Sequence, residues 1–387
     1  MCRSFAERGA DDAEADGALP APCGRVSSAL EGVIAQAIAR LVPDGRVVEV
    51  TALGPDRDLA DDTHKGAGYG APRRVRVETA SGQRAFVFHV ATANEFGHDR
   101  RADRAEAQLL AFDTWAAIPR HALALDVGAM SKDGSCRSLA DASEFYLVTE
   151  WADGAPYAED LRRIARTCVL GPDDAARCEA LARYLVALHT RGLKGPARYR
   201  RAIRDLLGHG EGIFGMIDGY PEDTPGAPAS RLQEIEAACL RWRWQLRNRS
   251  ERLTTTHGDF HPFNVVFSSG SDFTLLDASR GCAGDAADDV AAMVVNYVFF
   301  ALDHPGAWEG GLRTLWRLFW DCYLEASGDD GLLSVIAPFL AWRGLVVASP
   351  VFYPDLPATA RDRMLGLIER ALDAPRFDPS WAEALFP

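Results

Sequence analysis

The sequence predicts an α+β protein in two parts, an antiparallel sheet followed by a mostly helical region. Between residues 46 and 91 the chain runs in short segments rich in β-branched and aromatic residues, a pattern typical of strands. From Tyr157 onward the apolar residues recur at helical spacing. One strand pair, within residues 264–277, interrupts the helices. A strand-rich half followed by a helix-rich half with a single hairpin indicates two lobes.

The elements of the first part follow from their periodicity. They are, in order, a helix over residues 25–41, strands over 46–53, 73–82 and 84–91, a helix within 98–118, and a strand over 144–154. Ser81-Gly82 supplies a hairpin turn between two of these strands. Because residues 1–24 are rich in Ala, Asp, Gly and Pro, they are expected to form a flexible leader. The predicted domains are therefore the leader 1–24, an N-terminal lobe 25–152, and a helical lobe 153–387.

Composition excludes several classes of partner. No stretch approaches 18 uninterrupted apolar residues, so no membrane span is expected. The eight cysteines contain no CxxC pair, which favours reduced thiols and a cytoplasmic location, and no secretory signal is recognised. The net charge of −13 disfavours nucleic acid and anionic membranes as partners and favours a small, cationic one.

The segment from His257 to Asp277 carries the chemistry. Asp259 precedes Asn264 by five positions, and Asp277 closes the second strand of the hairpin thirteen residues later. A hairpin with this spacing brings the two carboxylates and the amide together. Asn264 and Asp277 offer the oxygen ligands that Mg²⁺ prefers, which leaves Asp259 to orient and deprotonate an attacking hydroxyl.

Four segments together resemble the aminoglycoside phosphotransferase/choline kinase-like family. They are "HGDFHPFNVVF…LLD", "GDAADDVAAM", "LVALHTRG" and "FYLVTEWADG", which lie within residues 60 to 295. The resemblance implies a protein-kinase-like bilobal fold, with ATP or GTP and Mg²⁺ as co-substrates and a small-molecule hydroxyl as acceptor. It also implies that Asp259 is the catalytic base, that Asn264 and Asp277 bind metal, and that the backbone at Thr149, Glu150 and Trp151 meets the nucleotide base.

The sequence departs from this family at the lysine that holds the nucleotide phosphates. In kinase-like enzymes that lysine lies on the third strand and pairs with a glutamate of the next helix. Glu106 is placed to be the glutamate, but His89 occupies the position of the lysine. Two sources of replacement charge are hypothesised. One is Lys65, which adjoins Gly66 and Gly68 in a glycine-rich turn suited to covering phosphates, and the other is Arg100.

Other interpretations of the same residues remain. His257 and His261 lie at a spacing that suits zinc, although Pro262 interrupts a strand there; we favour packing for His257 and a loop position for His261. Asp288 is expected to be a solvated residue at a helix start. For Asp289 two interpretations stay open, a solvated residue at the same helix start or a structural anchor of the catalytic loop, and the second has at least equal weight.

Two other functions also remain. Loss of the lysine is compatible with a nucleotide- or metabolite-binding pseudokinase, and transfer of a nucleotidyl group is a further alternative. The complete set of Asp259, Asn264 and Asp277 favours catalysis. The sequence leaves the identity of the acceptor open.

Overall fold

A computed structural model of the chain describes residues 28–53, 72–278 and 280–386. The described residues divide into two compact units, with the boundary between Val148 and Thr149. The predicted leader 1–24 and the glycine-rich segment with Lys65, Gly66 and Gly68 lie outside the described residues. None of the described helices is long and apolar enough to cross a lipid bilayer.

The first unit contains a helix packed on an antiparallel sheet. Its elements are α1 (Ser28–Leu41), β1 (Arg46–Ala52), β2 (Arg73–Thr79), β3 (Gly82–Phe88), α2 (Arg101–Thr114), β4 (Gly128–Met130) and β5 (Cys136–Ser138). Strands β1, β2 and β3 form a sheet in that order, with both neighbouring pairs antiparallel. Ile34 and Ile38 of α1 pack on Val75 and Val77 of β2 because alternate strand residues face the helix. These elements confirm the predicted first helix, three strands and second helix.

The predicted strand over residues 144–154 is wrong. No strand is assigned between residues 139 and 154, and β6 consists only of Ala155–Pro156. Tyr146, Leu147 and Trp151 are more than four-fifths exposed. The propensity of such residues for strands reflects packing against a neighbouring strand and a core. Here the segment has neither among the described residues.

The second unit is predominantly helical. Its helices are α3 (Tyr157–Thr167), α4 (Asp174–His189), α5 (Pro196–Gly208), α6 (Ile213–Asp218), α7 (Ala229–Leu246), α8 (Ala286–Asp303), α9 (Arg313–Ser327), α10 (Ala337–Ala348) and α11 (Ala358–Asp373). Its strands are β6 (Ala155–Pro156), β7 (Leu253–Thr255), β8 (Val265–Ser269), β9 (Asp272–Leu275) and β10 (Ala283–Asp285). Strands β8 and β9 form the predicted hairpin, and β6 pairs with the outer side of β8.

Helix α8 runs through the core of the second unit. Every residue from Ala286 to Leu302 is buried, and α8 contacts α3, α4, α9, α10 and α11. A helix that is apolar on all sides is stable only when other elements surround it, so its sequence fits this central position. The side chain of Asp285 caps the helix by accepting a hydrogen bond from the amide of Ala287 at 3.1 Å. The start of α8 is thereby fixed beside the loop that carries Asp259.

The turn into β6 yields a prediction about stability. Gly154 has a φ of +140°, and a Cβ at this position would collide with the carbonyl oxygen of Phe267 on β8. Gly154→Ala should therefore lower the free energy of unfolding by about 2 to 4 kcal/mol, from backbone strain and overpacking together. Urea denaturation would measure the loss.

Gly270→Ala is the matched control, because Gly270 also has a positive φ, +52°, but faces open space. It should cost only about 1 kcal/mol. Equal losses in the two variants would contradict the steric argument.

Candidate active site

Asp259 lies in the loop that connects β7 to the hairpin. β7 is held in place by antiparallel pairing with β10, which leads directly into α8. The loop turns at Gly258, whose φ of +82° is a conformation that favours glycine. Phe260 is fully buried and stacks against Tyr184 of α4, with ring centroids 6.0 Å apart. The loop is therefore anchored on both sides of Asp259.

The carboxylate of Asp289 holds the backbone of the loop by two hydrogen bonds. Its Oδ2 accepts a hydrogen bond from the amide of His257 at 2.8 Å, and its Oδ1 accepts one from the amide of Gly258, also at 2.8 Å. Asp289 is fully buried, and a buried carboxylate is tolerated when charged or polar donors surround it. Of the two interpretations of Asp289, the one in which it anchors this loop is confirmed.

His189 provides the third contact to this carboxylate. Its Nε2 lies 3.1 Å from Oδ2 of Asp289, and its Nδ1 lies 2.7 Å from the hydroxyl of Tyr323. In neutral histidine only one nitrogen donates, so the pair of contacts is satisfied when Nε2 donates to the carboxylate and Nδ1 accepts from the tyrosine. Helices α4 and α9 are thus tied to the loop through Asp289.

Both oxygens of the Asp259 carboxylate are engaged. Oδ1 accepts a hydrogen bond from Nη1 of Arg343 at 2.6 Å, and Oδ2 accepts one from Nδ2 of Asn264 at 3.0 Å. Nε2 of His261 lies 3.3 Å from Oδ2. Burial raises the pKa of Asp259, but the contact with His261 and the charge of Arg343 outweigh it, so that the pKa lies below its ordinary value. Asp259 is therefore a carboxylate at neutral pH.

Asn264 joins Asp259 to the end of the hairpin. It is buried, and its Nδ2 also lies 3.1 Å from the carbonyl oxygen of Asp259 and 3.5 Å from that of Asp277. The amide of Leu276 donates to the carbonyl oxygen of Asn264 at 2.9 Å, which fixes the two strand ends in register. Asp277 follows in a left-handed conformation, φ +47°, with its side chain exposed. The hairpin thus brings Asp259, Asn264 and the backbone of Asp277 together.

The two histidines take the positions expected of loop residues. His257 is buried and packs its ring edge-on against Phe260 at 5.9 Å. Nδ1 of His261 accepts a hydrogen bond from the amide of Phe263, which caps the short turn Pro262–Asn264. Within the described residues, no group of three or more His, Cys, Asp or Glu side chains is arranged to hold a metal ion. The two imidazoles are engaged within the loop itself, one against Phe260 and the other with the amide of Phe263.

The expectation that Asp288 is a solvated residue is wrong. Asp288 is buried, and its two oxygens accept hydrogen bonds from Arg343 at 3.1 Å and Arg280 at 2.9 Å. Both guanidinium groups also donate to the carbonyl oxygen of Gly258, at 2.8 Å and 2.6 Å respectively. Acidic residues are common in the first turn of a helix, but here the partners lie outside that helix: Arg280 precedes it by a few residues, and Arg343 is 55 residues away. Nothing local in the sequence identifies either arginine as a partner of the loop.

Of the expected nucleotide-binding residues in the first unit, the structure describes His89 and Glu106, and no hydrogen bond or ion pair joins these two. His89 immediately follows β3, is exposed, and meets Trp115 edge-on with ring centroids 6.4 Å apart. Glu106 is exposed on α2 and makes no ion pair with any described residue. Phe86 and Phe88 pack on the core of the sheet, as the alternation of β3 predicts.

Thr149, Glu150 and Trp151 lie just past the boundary of the units. All three are exposed, and among the described residues their backbone groups find no hydrogen-bond partner. The indole nitrogen of Trp151 donates to the carboxylate of Asp153 at 2.8 Å.

The cluster around Asp288 yields a second prediction. Asp288→Ala leaves the guanidinium groups of Arg280 and Arg343 buried without their shared carboxylate. Breaking a buried ion pair in this way should cost about 3 kcal/mol of unfolding free energy. Thermal and urea unfolding would measure it. Glu179→Ala removes an exposed partner of Arg183 and should change stability by less than about 0.5 kcal/mol. A similarly small effect at Asp288 would show that its ion pairs are not maintained in solution.

Several solved structures align with the chain. They are a glucosamine kinase (17% identity, 91% of this chain and 99% of that chain, TM-score 0.41), a choline kinase from Streptococcus pneumoniae (14%, 89% and 99%, 0.33), and a thermostable mutant of an aminoglycoside phosphotransferase (14%, 87% and 98%, 0.36). Values this low carry no substrate over to this chain. No curated protein matches it.

A family model, by contrast, matches most of the chain. The model of the phosphotransferase enzyme family covers residues 67–317, more than half of the sequence. This match confirms the resemblance drawn from the catalytic-loop motif, and with it the kinase-like fold class of an antiparallel sheet followed by a mostly helical remainder. It likewise confirms an enzyme that transfers phosphate to a hydroxyl group. The chain belongs to the phosphotransferase enzyme family.

Proposed function

We propose that this phosphotransferase moves the γ-phosphate of ATP or GTP to a hydroxyl group of a small molecule. The observation that carries the proposal is the grouping of Asp259, Asn264 and Asp277 at one end of a hairpin. Asn264 hydrogen-bonds to the carboxylate of Asp259 and reaches the backbone of Asp277. A binding protein has no evident need for this combination, whereas phosphoryl transfer uses each member.

In this proposal Asp259 orients the acceptor and receives its proton. The acceptor oxygen forms a bond to the γ-phosphorus while the bond from that phosphorus to the β,γ-bridging oxygen breaks. The hydroxyl proton passes to the carboxylate and then to water, and the nucleoside diphosphate leaves. Because the transition state of phosphoryl transfer is loose, positioning matters more than strong basicity. A carboxylate with a lowered pKa suits that task.

The side chains of Asn264 and Asp277 fit a magnesium ion. Asn264 uses its Nδ2 as a donor to Asp259, so the amide oxygen is the atom that remains for a cation. Asp277 adds an exposed carboxylate. Hard oxygen donors of this kind suit Mg²⁺, which when bound would neutralise the charge of the nucleotide phosphates.

We also propose which residues bind the nucleotide. The backbone at Thr149, Glu150 and Trp151 is exposed and has no hydrogen-bond partner within the described part of the chain, so it offers a donor and acceptors for the base. Around the phosphates we assign Lys65, Gly66, Gly68, His89 and Glu106. Since His89 stands where the family has a lysine, the charge opposite the phosphates would come from Lys65 or from Arg100.

The acceptor is a small molecule with a hydroxyl group. The carboxylate of Asp259 already has a cationic partner, because Nη1 of Arg343 lies 2.6 Å from its Oδ1. An ammonium group placed directly beside Asp259 would be repelled by Arg343. If the acceptor is cationic, as the net charge of the chain suggests, its positive groups would lie away from the reacting hydroxyl.

Calorimetry with and without magnesium tests the function. ATP and GTP should each bind more tightly with Mg²⁺, and Asp277→Ala should reduce this magnesium-dependent affinity at least about tenfold by removing a metal ligand. Asp272→Ala, which removes a carboxylate from the same hairpin at the start of β9, should leave binding unchanged. Release of ADP or GDP with glucosamine, ethanolamine and choline as trial acceptors would then measure transfer.

Three outcomes oppose the proposal. Failure to bind either nucleotide would favour a metabolite-binding protein. Nucleotide binding without release of a nucleoside diphosphate, either by transfer to an acceptor or by hydrolysis, would favour a pseudokinase. Release of pyrophosphate would indicate nucleotidyl transfer instead.

A separate prediction concerns the missing lysine. Lys65→Ala should weaken ATP binding by about tenfold, because one charge-assisted contact to the phosphates is lost. Lys132→Ala removes an exposed lysine of the first unit and should leave the affinity unchanged. If only Arg100→Ala weakens binding, Arg100 supplies the charge. Unchanged affinity in both variants would refute the idea that either residue replaces the lysine.

A further inference from the structure

Arg343 of α10 grips the catalytic loop with two of its nitrogens. Nη1 donates to Oδ1 of Asp259 at 2.6 Å, and Nη2 donates to the carbonyl oxygen of Gly258 at 2.8 Å. The two acceptors are the carboxylate expected to touch the acceptor molecule and the peptide group that precedes it. A single planar guanidinium therefore fixes both the backbone and the side chain of Asp259.

The guanidinium group is itself held rigidly. The side chain of Arg343 is 7% exposed, and its Nη2 also donates to Asp288 at 3.1 Å. Its central carbon lies 3.6 Å from the ring centroid of Trp342, whose indole nitrogen donates to the carbonyl oxygen of Glu211 at 2.7 Å. Stacking on an anchored ring together with a carboxylate partner restricts the guanidinium to one orientation.

This arrangement does not satisfy every donor of Arg343. Its buried Nε finds no partner among the described residues. A buried, unpaired donor opposes stability, and in native proteins such groups call for an explanation. Nη1 and Nη2 are both directed at the catalytic loop or at Asp288. The orientation of the guanidinium therefore satisfies the loop and leaves the third nitrogen, Nε, without a partner among the described residues.

The grip limits the orientation of the Asp259 carboxylate. Asn264 occupies Oδ2 from one side while Arg343 occupies Oδ1 from the other. Rotation of the carboxylate would break both hydrogen bonds at once. An ionised carboxylate has about four lone-pair sites, so the pinned group still has a lone pair on Oδ1 for an acceptor hydroxyl.

We propose that Arg343 is a positioning residue for phosphate transfer, which acts by holding Asp259 in the one orientation that receives the acceptor hydroxyl. This inference rests on the proposed function. Asp288 completes the device by fixing the guanidinium and balancing its charge. Arg280 supports the same loop through the carbonyl oxygen of Gly258.

Steady-state kinetics on a double-mutant cycle tests the inference. MgATP is the nucleotide probe. The readout is the release of ADP as the γ-phosphate passes to a trial acceptor or to water. Arg343→Met should lower kcat by about 100-fold, the size expected for a misplaced catalytic group, while the KM for MgATP stays within about twofold. Arg343→Lys keeps the charge but loses the two-pronged geometry, so part of the activity should return.

The decisive measurement combines the change with Asp259→Asn. If Arg343 acts through the carboxylate, Arg343→Met should lower kcat by less than about threefold in the Asp259→Asn background. Arg361→Lys is the matched control, because Arg361 is a buried arginine that bonds to backbone carbonyl oxygens away from the site. It should lower the Tm without changing kcat. If Arg343→Met does not fold, Arg343→Lys serves in the same cycle.

The outcomes separate this inference from the proposed function. Absence of ADP release by the unaltered protein would overturn both. A second outcome is that the unaltered protein releases ADP and that the kcat losses caused by Arg343→Met and Asp259→Asn multiply in the double variant. This outcome would overturn the role of Arg343 alone. A rise in KM for MgATP with unchanged kcat would also overturn it, because a positioning residue for Asp259 acts on the chemical step.

Discussion

The carboxylate of Asp289 is the point on which the site depends. Its two oxygens receive the amides of His257 and Gly258, and it belongs to the first turn of the most buried helix in the second unit. The loop therefore has its backbone donors satisfied by a group that cannot move without displacing the core. The left-handed turn at Gly258 follows from that attachment, and it places Asp259 at the start of the hairpin.

Close to this attachment, the second unit contains a buried network of two arginines around one carboxylate. Asp288 lies between Arg280 and Arg343, and Gly258 offers its carbonyl oxygen to the same two guanidinium groups. Buried ion pairs contribute little net stability because desolvation offsets their attraction, but they penalise alternative arrangements heavily. Helix α10, the segment after β9 and the catalytic loop are thereby held in a single relative arrangement. Specificity of arrangement, more than stability, is what this network supplies.

The parts of the structure that were predictable from the sequence are those encoded within a short span. The hairpin, the grouping of Asp259 with Asn264, and the anchoring role of Asp289 follow from local spacing and from the resemblance to a family. Arg343 was not predictable, because it lies 84 residues from its partner Asp259 and sits in a helix that is otherwise apolar. Asp288 was misjudged because neither of its partners lies on its own helix: Arg280 is in the segment before α8, and Arg343 is on α10. The strand predicted over residues 144–154 failed because propensity alone does not supply a partner strand.

The position of α8 has a consequence for how this enzyme can diverge. The helix offers no surface residue between Ala286 and Leu302, so nearly any substitution along it alters a packed neighbour and, through Asp289, the catalytic loop. By contrast, Val351 and Phe352, in the segment after α10, are more than half exposed and lie outside the core. Selection for a new acceptor would therefore act on segments of this kind, while the helix that carries the loop would accept few changes.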